Sequence, residues 1–113
     1  MPYIEIRTNV PIDRDRSEVL RNLLGREIEL LPGKSEQWLM TSLRGGEDMA
    51  LGGRCEPCVM VQVSLFGSAD ASAYDRMTAS LCEKLRLALN VPENRIYIKY
   101  EEVSHWGWNG SNF

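Results

Sequence analysis

"CVMVQVSLF", residues 58–66, decides the fold. Its side chains are apolar at nearly every position, so neither face of a strand here is written for water, and a strand covered on both sides is the reading. Upstream it is entered through "RGGEDMALGGRCEP" (44–57), a Gly-rich connection with room for a short strand or hairpin. Before that, "WLMTSL" (38–43) is a second strand, and near the start "YIEIR" (3–7) alternates apolar and polar as a half-buried strand does. A helix lies between these two. "NVPID" breaks the first strand, and Asp13 or Asp15 caps the helix, with Glu18 three residues after Asp15 as in a capping box. Leu20, Leu24, Ile28 and Leu31 form its apolar stripe, widened by Val19 and Leu23, and "PGK" (32–34) ends it. Downstream, "GSADAS" (67–72) opens a second helix with the stripe Tyr74, Met77, Leu81, Leu85 and Leu89. "NVPENR" (90–95) closes that helix, "IYIKYE" (96–101) is another strand, and "HWGWNGSNF" (105–113) reads as a short strand or hairpin.

Strand, helix, strand therefore occurs twice. The halves, about 2–56 and 57–113 of a single domain 1–113, align at an offset of 57 residues, with "KSEQWLM" (34–40) over "VPENRIY" (91–97). Glu36 then lies over Glu93 and Leu39 over Ile96. Two βαβ units with right-handed crossovers predict an α+β fold: a four-stranded mixed sheet with two helices on one face. The bare face, to which Val61, Val63 and Leu65 are assigned, then needs a second chain, and a homo-oligomer is expected.

Composition removes several function classes. At 113 residues, 43% hydrophobic and 26% charged, the chain has the make-up of a soluble globular domain. A net charge of -3 speaks against a nucleic-acid binder working through a cationic field. No run approaches the roughly 20 apolar residues of a membrane span, and "MPYIEIRTNV" has no signal-peptide pattern, so the cytoplasm is the expected location. Three cysteines without a secretory context predict no disulfide framework. Cys82 on a helix and the lone His105 in the tail do not make a metal set, and no cofactor is expected. The glycine pairs at 45–46 and 52–53 lack the Lys-Ser/Thr of a phosphate loop.

Pro2 is the residue with the most chemistry in it. Methionine aminopeptidases remove an initiator methionine when the next residue is small, and proline qualifies. The mature chain would begin with a secondary amine, and an α-amino group titrates near ~7.7–8.0, low enough for modest desolvation to leave it a free base at neutral pH.

Read together, Pro2, "TNVP" (8–11), Gly33-Lys34, "MALGG" (49–53), "EPC" (56–58), "NRIYI" (94–98) and "GWNGSNF" (107–113) lie in one order and spacing. Over essentially the whole chain they resemble the macrophage migration inhibitory factor and D-dopachrome tautomerase family. The resemblance implies a homotrimer whose sheets face inward, with an active site between subunits. It implies Pro2 as the base, Lys34 as the carboxylate-binding lysine, and Phe66 as pocket wall and backbone N–H donor. Tyr97 would come from the adjacent subunit, and Trp106 and Phe113 from the tail that forms the rim. Lys99 stands at a position where the family carries asparagine or a basic residue. Tyr3 is bulkier than the residue usually found beside the proline, and the tail before Gly107 is shorter.

The chemistry so implied is keto–enol tautomerisation of an aryl pyruvate such as phenylpyruvate. A base with a pKa near the working pH both removes and returns the proton, and Lys34 beside it disfavours the protonated amine while binding the substrate carboxylate. Phe66, Tyr97, Trp38 and Trp106 offer an aromatic slot, although core packing is the favoured reading for Trp38. The alternative is a cytokine-like protein, secreted without a signal peptide, that binds a cell-surface receptor. A third reading, dithiol redox chemistry at Cys55 and Cys58, is disfavoured by register: the family's second cysteine falls on Val61.

Overall fold

The computed structural model describes residues Met1–Phe113. The two βαβ units are present. Strand β1 (Pro2–Thr8) leads to helix α1 (Arg14–Glu27) and strand β2 (Met40–Arg44); strand β3 (Val59–Phe66) leads to helix α2 (Ala71–Leu89) and strand β4 (Ile96–Val103). A tail hairpin follows, β5 (Gly107–Trp108) and β6 (Ser111–Asn112). The sheet order is β2-β1-β3-β4, parallel within each unit and antiparallel where β1 meets β3. Both units keep one spacing: β3 starts 57 residues after β1, α2 57 after α1, and the 3-10 turn Glu93–Arg95 57 after the turn Glu36–Trp38. No helix is long and apolar enough to cross a membrane.

Side-chain parity sets the two faces. Ile4 and Ile6 of β1, and Val59, Val61, Val63 and Leu65 of β3, are buried against Leu20 and Leu24 of α1, Ile28 of the 3-10 turn that follows it, and Met77, Leu81 and Leu85 of α2. The assignment of Val61, Val63 and Leu65 to a bare face is therefore corrected. They are core, because odd-numbered β3 positions point toward the helices. The face away from the helices carries Tyr3, Glu5 and Arg7 of β1, Gln62 and Ser64 of β3, and Lys99 and Glu101 of β4, joined in register as Tyr3–Ser64–Glu101 and Glu5–Gln62–Lys99. It is polar. The near-continuous apolar run arises because the even positions include Met60 and Phe66, both partly exposed.

Local departures from the sequence reading are small. Asp13, not Asp15, caps α1, its carboxylate accepting from the Arg16 N–H at 2.8 Å. Val19 is 52% exposed and lies outside the buried stripe. Trp38 and Leu39 belong to the turn before β2, and the Gly-rich connection carries a single bridge between Leu51 and Arg54.

Candidate active site

The N-terminus of β1 is where the singled-out residues meet. Pro2 is buried, paired in register with Leu65 of β3. The Met1 carbonyl accepts the Phe66 N–H at 3.1 Å, which ties the chain start to the end of β3. Lys34 arrives from the other side. Gly33, at φ +77°, turns the chain out of the helical segment, a conformation that costs a side chain about 1 kcal/mol or more. Lys34 Nζ then donates to the Phe66 carbonyl at 3.0 Å. The α-amino group of Met1 is held below its ordinary value of 8.0, first by burial and second by the positive charge of Lys34.

Aromatic rings build the wall. Phe66 and Phe113 lie 5.5 Å apart, Phe113 and Trp108 stack at 6.4 Å, and Trp108 meets Trp38 edge-on at 5.3 Å. The Asn109–Gly110 turn, both residues at positive φ, folds the tail back so that Trp108 and Phe113 reach this wall. Trp38 and Trp108 also line a groove of about 700 Å³, together with Pro2, Tyr3, Ser64, Glu101, His105 and Trp106 among others. Ser64 donates to Glu101 at 3.3 Å. Beside it, the Tyr74 hydroxyl donates to Glu102 at 2.6 Å and accepts the Ala69 N–H at 3.2 Å, fastening the 67–70 loop to the end of β4. Burial and the Glu102 bond push that phenol up to about 12, so it remains a donor at any ordinary pH.

Pro2, Lys34, Phe66, Trp106 and Phe113 are thus gathered at one end of the sheet. Tyr97 and Lys99 are not among them. Tyr97 pairs with Met60, five positions along β4 from the residue level with Leu65, or about 17 Å at the rise of a strand. It is 59% exposed and lines a separate cavity of about 580 Å³ at the far end of the sheet, together with Leu51, Arg54, Asn94 and Arg95. Lys99 is exposed on the polar face, opposite Gln62. Trp38, read from sequence as packing, is 44% exposed and forms part of the groove wall. Trp108 and Glu101 were not singled out at all. For Trp108 the Asn-Gly turn was the available signal; Glu101 carried none, because an acidic residue near the end of a strand is ordinary. Cys55 is exposed, Cys58 buried and Cys82 part-buried, all three as free thiols.

The family model described as "Macrophage migration inhibitory factor (MIF)" matches residues 1–113. The chain is 30% identical to a macrophage migration inhibitory factor of Xenopus laevis, over 100% of this chain and 99% of that one. It is 27% identical to a D-dopachrome decarboxylase of Gallus gallus, over 94% and 90%. Among solved structures, Leishmania major MIF2 superposes with a TM-score of 0.92 at 27% identity, covering 100% of this chain and 97% of that one. The macrophage migration inhibitory factor homologue from Prochlorococcus marinus superposes at 0.88 with 38% identity, covering 98% of each. With a fold, a length and a family pattern that agree from the first residue to the last, this chain belongs to the macrophage migration inhibitory factor family.

Proposed function

We propose that the protein is a keto–enol tautomerase of aryl pyruvates that uses no cofactor, with the Pro2 nitrogen as general base once Met1 is removed. The observation that carries this reading is the convergence of the chain start, Lys34 and the Phe66 peptide, with Pro2 itself lining a groove walled by Trp38, Trp106 and Trp108. With Met1 attached, the Pro2 nitrogen is an amide and the Phe66 N–H is occupied by the Met1 carbonyl. Removal of Met1 turns that nitrogen into a secondary amine and frees the N–H beside it. Lys34 holds the substrate carboxylate and the freed N–H takes an oxygen of the substrate. The neutral amine removes the enol O–H proton and delivers it to the benzylic carbon at the far end of the enol double bond, so that C–OH becomes C=O, C=C becomes C–C and the net change is isomerisation. The aryl ring lies on the wall of Phe66, Phe113 and Trp108. In a homotrimer with inward-facing sheets, Tyr97 of the neighbouring subunit closes the groove, and Lys99 stands near its mouth.

Mass spectrometry of the mature N-terminus, paired with a phenylpyruvate assay of Pro2→Gly, tests the reading. Loss of turnover on the order of 100-fold with the assembly intact is expected, because a primary amine on a looser backbone is a worse-placed base. Full turnover in a chain that retains Met1, or in Pro2→Gly, would sink it.

A further inference from the structure

The 57-residue repeat pairs the two cavities. Gln37, Trp38 and Met40 line the groove at Pro2, and their repeat equivalents Asn94, Arg95 and Tyr97 line the cavity at the far end of the sheet. In the first cavity the middle position is an indole on the wall of an open groove. In the second it is an arginine whose three nitrogens are all engaged. Nε donates to the Pro57 carbonyl at 2.9 Å, Nη1 to Leu51 at 3.3 Å, and Nη2 to Arg54 at 3.0 Å and Glu56 at 2.9 Å. A guanidinium is a rigid fork of donors with no acceptor, so four carbonyls converging on it fix the loop that carries them. Besides these bonds the loop is held by the Leu51–Arg54 bridge, by the exposed Arg54–Glu56 ion pair within it, and by the Asn9 side chain bonded to the carbonyls of Cys55 and Glu56. Two residues beyond Arg95 stands Tyr97, an exposed aromatic on this braced bed.

Resting on the tautomerase reading, we propose that Arg95 is a positioning residue: by clamping segment 51–57 it holds the bed from which Tyr97 is presented to the Pro2 groove of the neighbouring subunit. The repeat has thus divided its two clefts between two tasks. One cleft binds, and the other is lined by its own clamped loop and made into the neighbour's wall.

The test uses the full chain with Met1 removed and phenylpyruvate as substrate. Arg95→Lys, which keeps the charge and loses the fork, and Arg95→Ala should each raise KM about tenfold with kcat within about threefold, a loss of binding and not of chemistry. The acid limb of the pH profile should not move, since the amine and Lys34 are untouched. In a Tyr97→Ala background, Arg95→Ala should change KM by less than about twofold, because both changes remove one interaction. An unchanged KM in Arg95→Lys and Arg95→Ala overturns the proposal. So does an equal KM increase in the Tyr97→Ala background, which would mean general loosening; should Arg95→Ala fail to fold, Arg95→Lys is read in both backgrounds. Amide hydrogen exchange separates this proposal from the function it rests on. Lost protection over 51–57 and at Tyr97 in the Arg95 variants is expected even if the wild type proves inactive, an outcome that sinks the tautomerase and keeps the clamp. Unchanged protection there rejects the clamp whatever the activity.

Discussion

Lys34 touches both halves of the proposed chemistry, so its removal has two separable effects. Lys34→Ala takes away the cation that binds the substrate carboxylate, and KM should rise about tenfold to a hundredfold, the range for a charge-assisted hydrogen bond. It also removes the positive charge that, after burial, lowers the α-amino group of Met1 in the unprocessed chain, and in the proposed chemistry the same charge acts on the Pro2 amine once Met1 is removed. The protonated amine is then less disfavoured, its pKa rises, and the acid limb of kcat/KM moves to higher pH. A pH profile whose acid limb stays in place would disprove the coupling. Lys99→Ala should change KM by no more than about twofold if its amine remains on the polar face, opposite Gln62. At this scale the sequence was informative about which residues meet at one end of the sheet, since Pro2 and Lys34, which stand in the family motifs, are found there with Phe66, whereas Tyr97 of "NRIYI" is not. It was silent where proximity is created by packing: nothing in the chain order brings Trp38 to within 5.3 Å of Trp108.

Between the two helices lies a buried carboxylate outside the groove. Glu27 of α1 has no exposed side-chain surface; one oxygen accepts from Ser80 at 2.8 Å and from Lys84 of α2, and Oε2 has no partner. Lys84 is about half exposed, so Lys84→Ala costs the charge partner while admitting some water, and a loss of about 2 kcal/mol is expected. Glu27→Met removes the charge together with its desolvation cost and should be neutral or stabilising. Urea unfolding at one fixed protein concentration measures both, and a Glu27→Met variant as weak as Lys84→Ala would show the pair to be a net stabiliser. The helices themselves were readable, because Leu20, Leu24, Ile28, Met77, Leu81 and Leu85 repeat at helical spacing and are all buried. Glu27 was not. A lone glutamate among Arg26, Ile28 and Glu29 looks like any solvated position until α2 is laid across it.

For the whole molecule, fold class and the twofold repeat were legible, while the character of the uncovered face was not. Composition alone cannot say which parity of an apolar strand points at the helices, and in β3 the odd positions took the core. The face left over is charged, and the sheet ends in two unpaired edges, β2 and β4, where Met40 is 68% and Tyr97 59% exposed. The proposed homotrimer with inward-facing sheets would cover these edges. Light scattering should give three times the 12.9 kDa chain mass at micromolar concentration, and a stable monomer would remove Tyr97 from the proposed site. The bond from the Phe66 N–H to the Met1 carbonyl has a last consequence for such an assembly. In the proposed chemistry one peptide cleavage supplies the base and vacates the donor together, so each subunit would be either silent or competent with no intermediate grade. Trimers reconstituted from processed chains and chains bearing an N-terminal tag should show a specific activity linear in the processed fraction; curvature would mean that one subunit's maturation is felt by its neighbours.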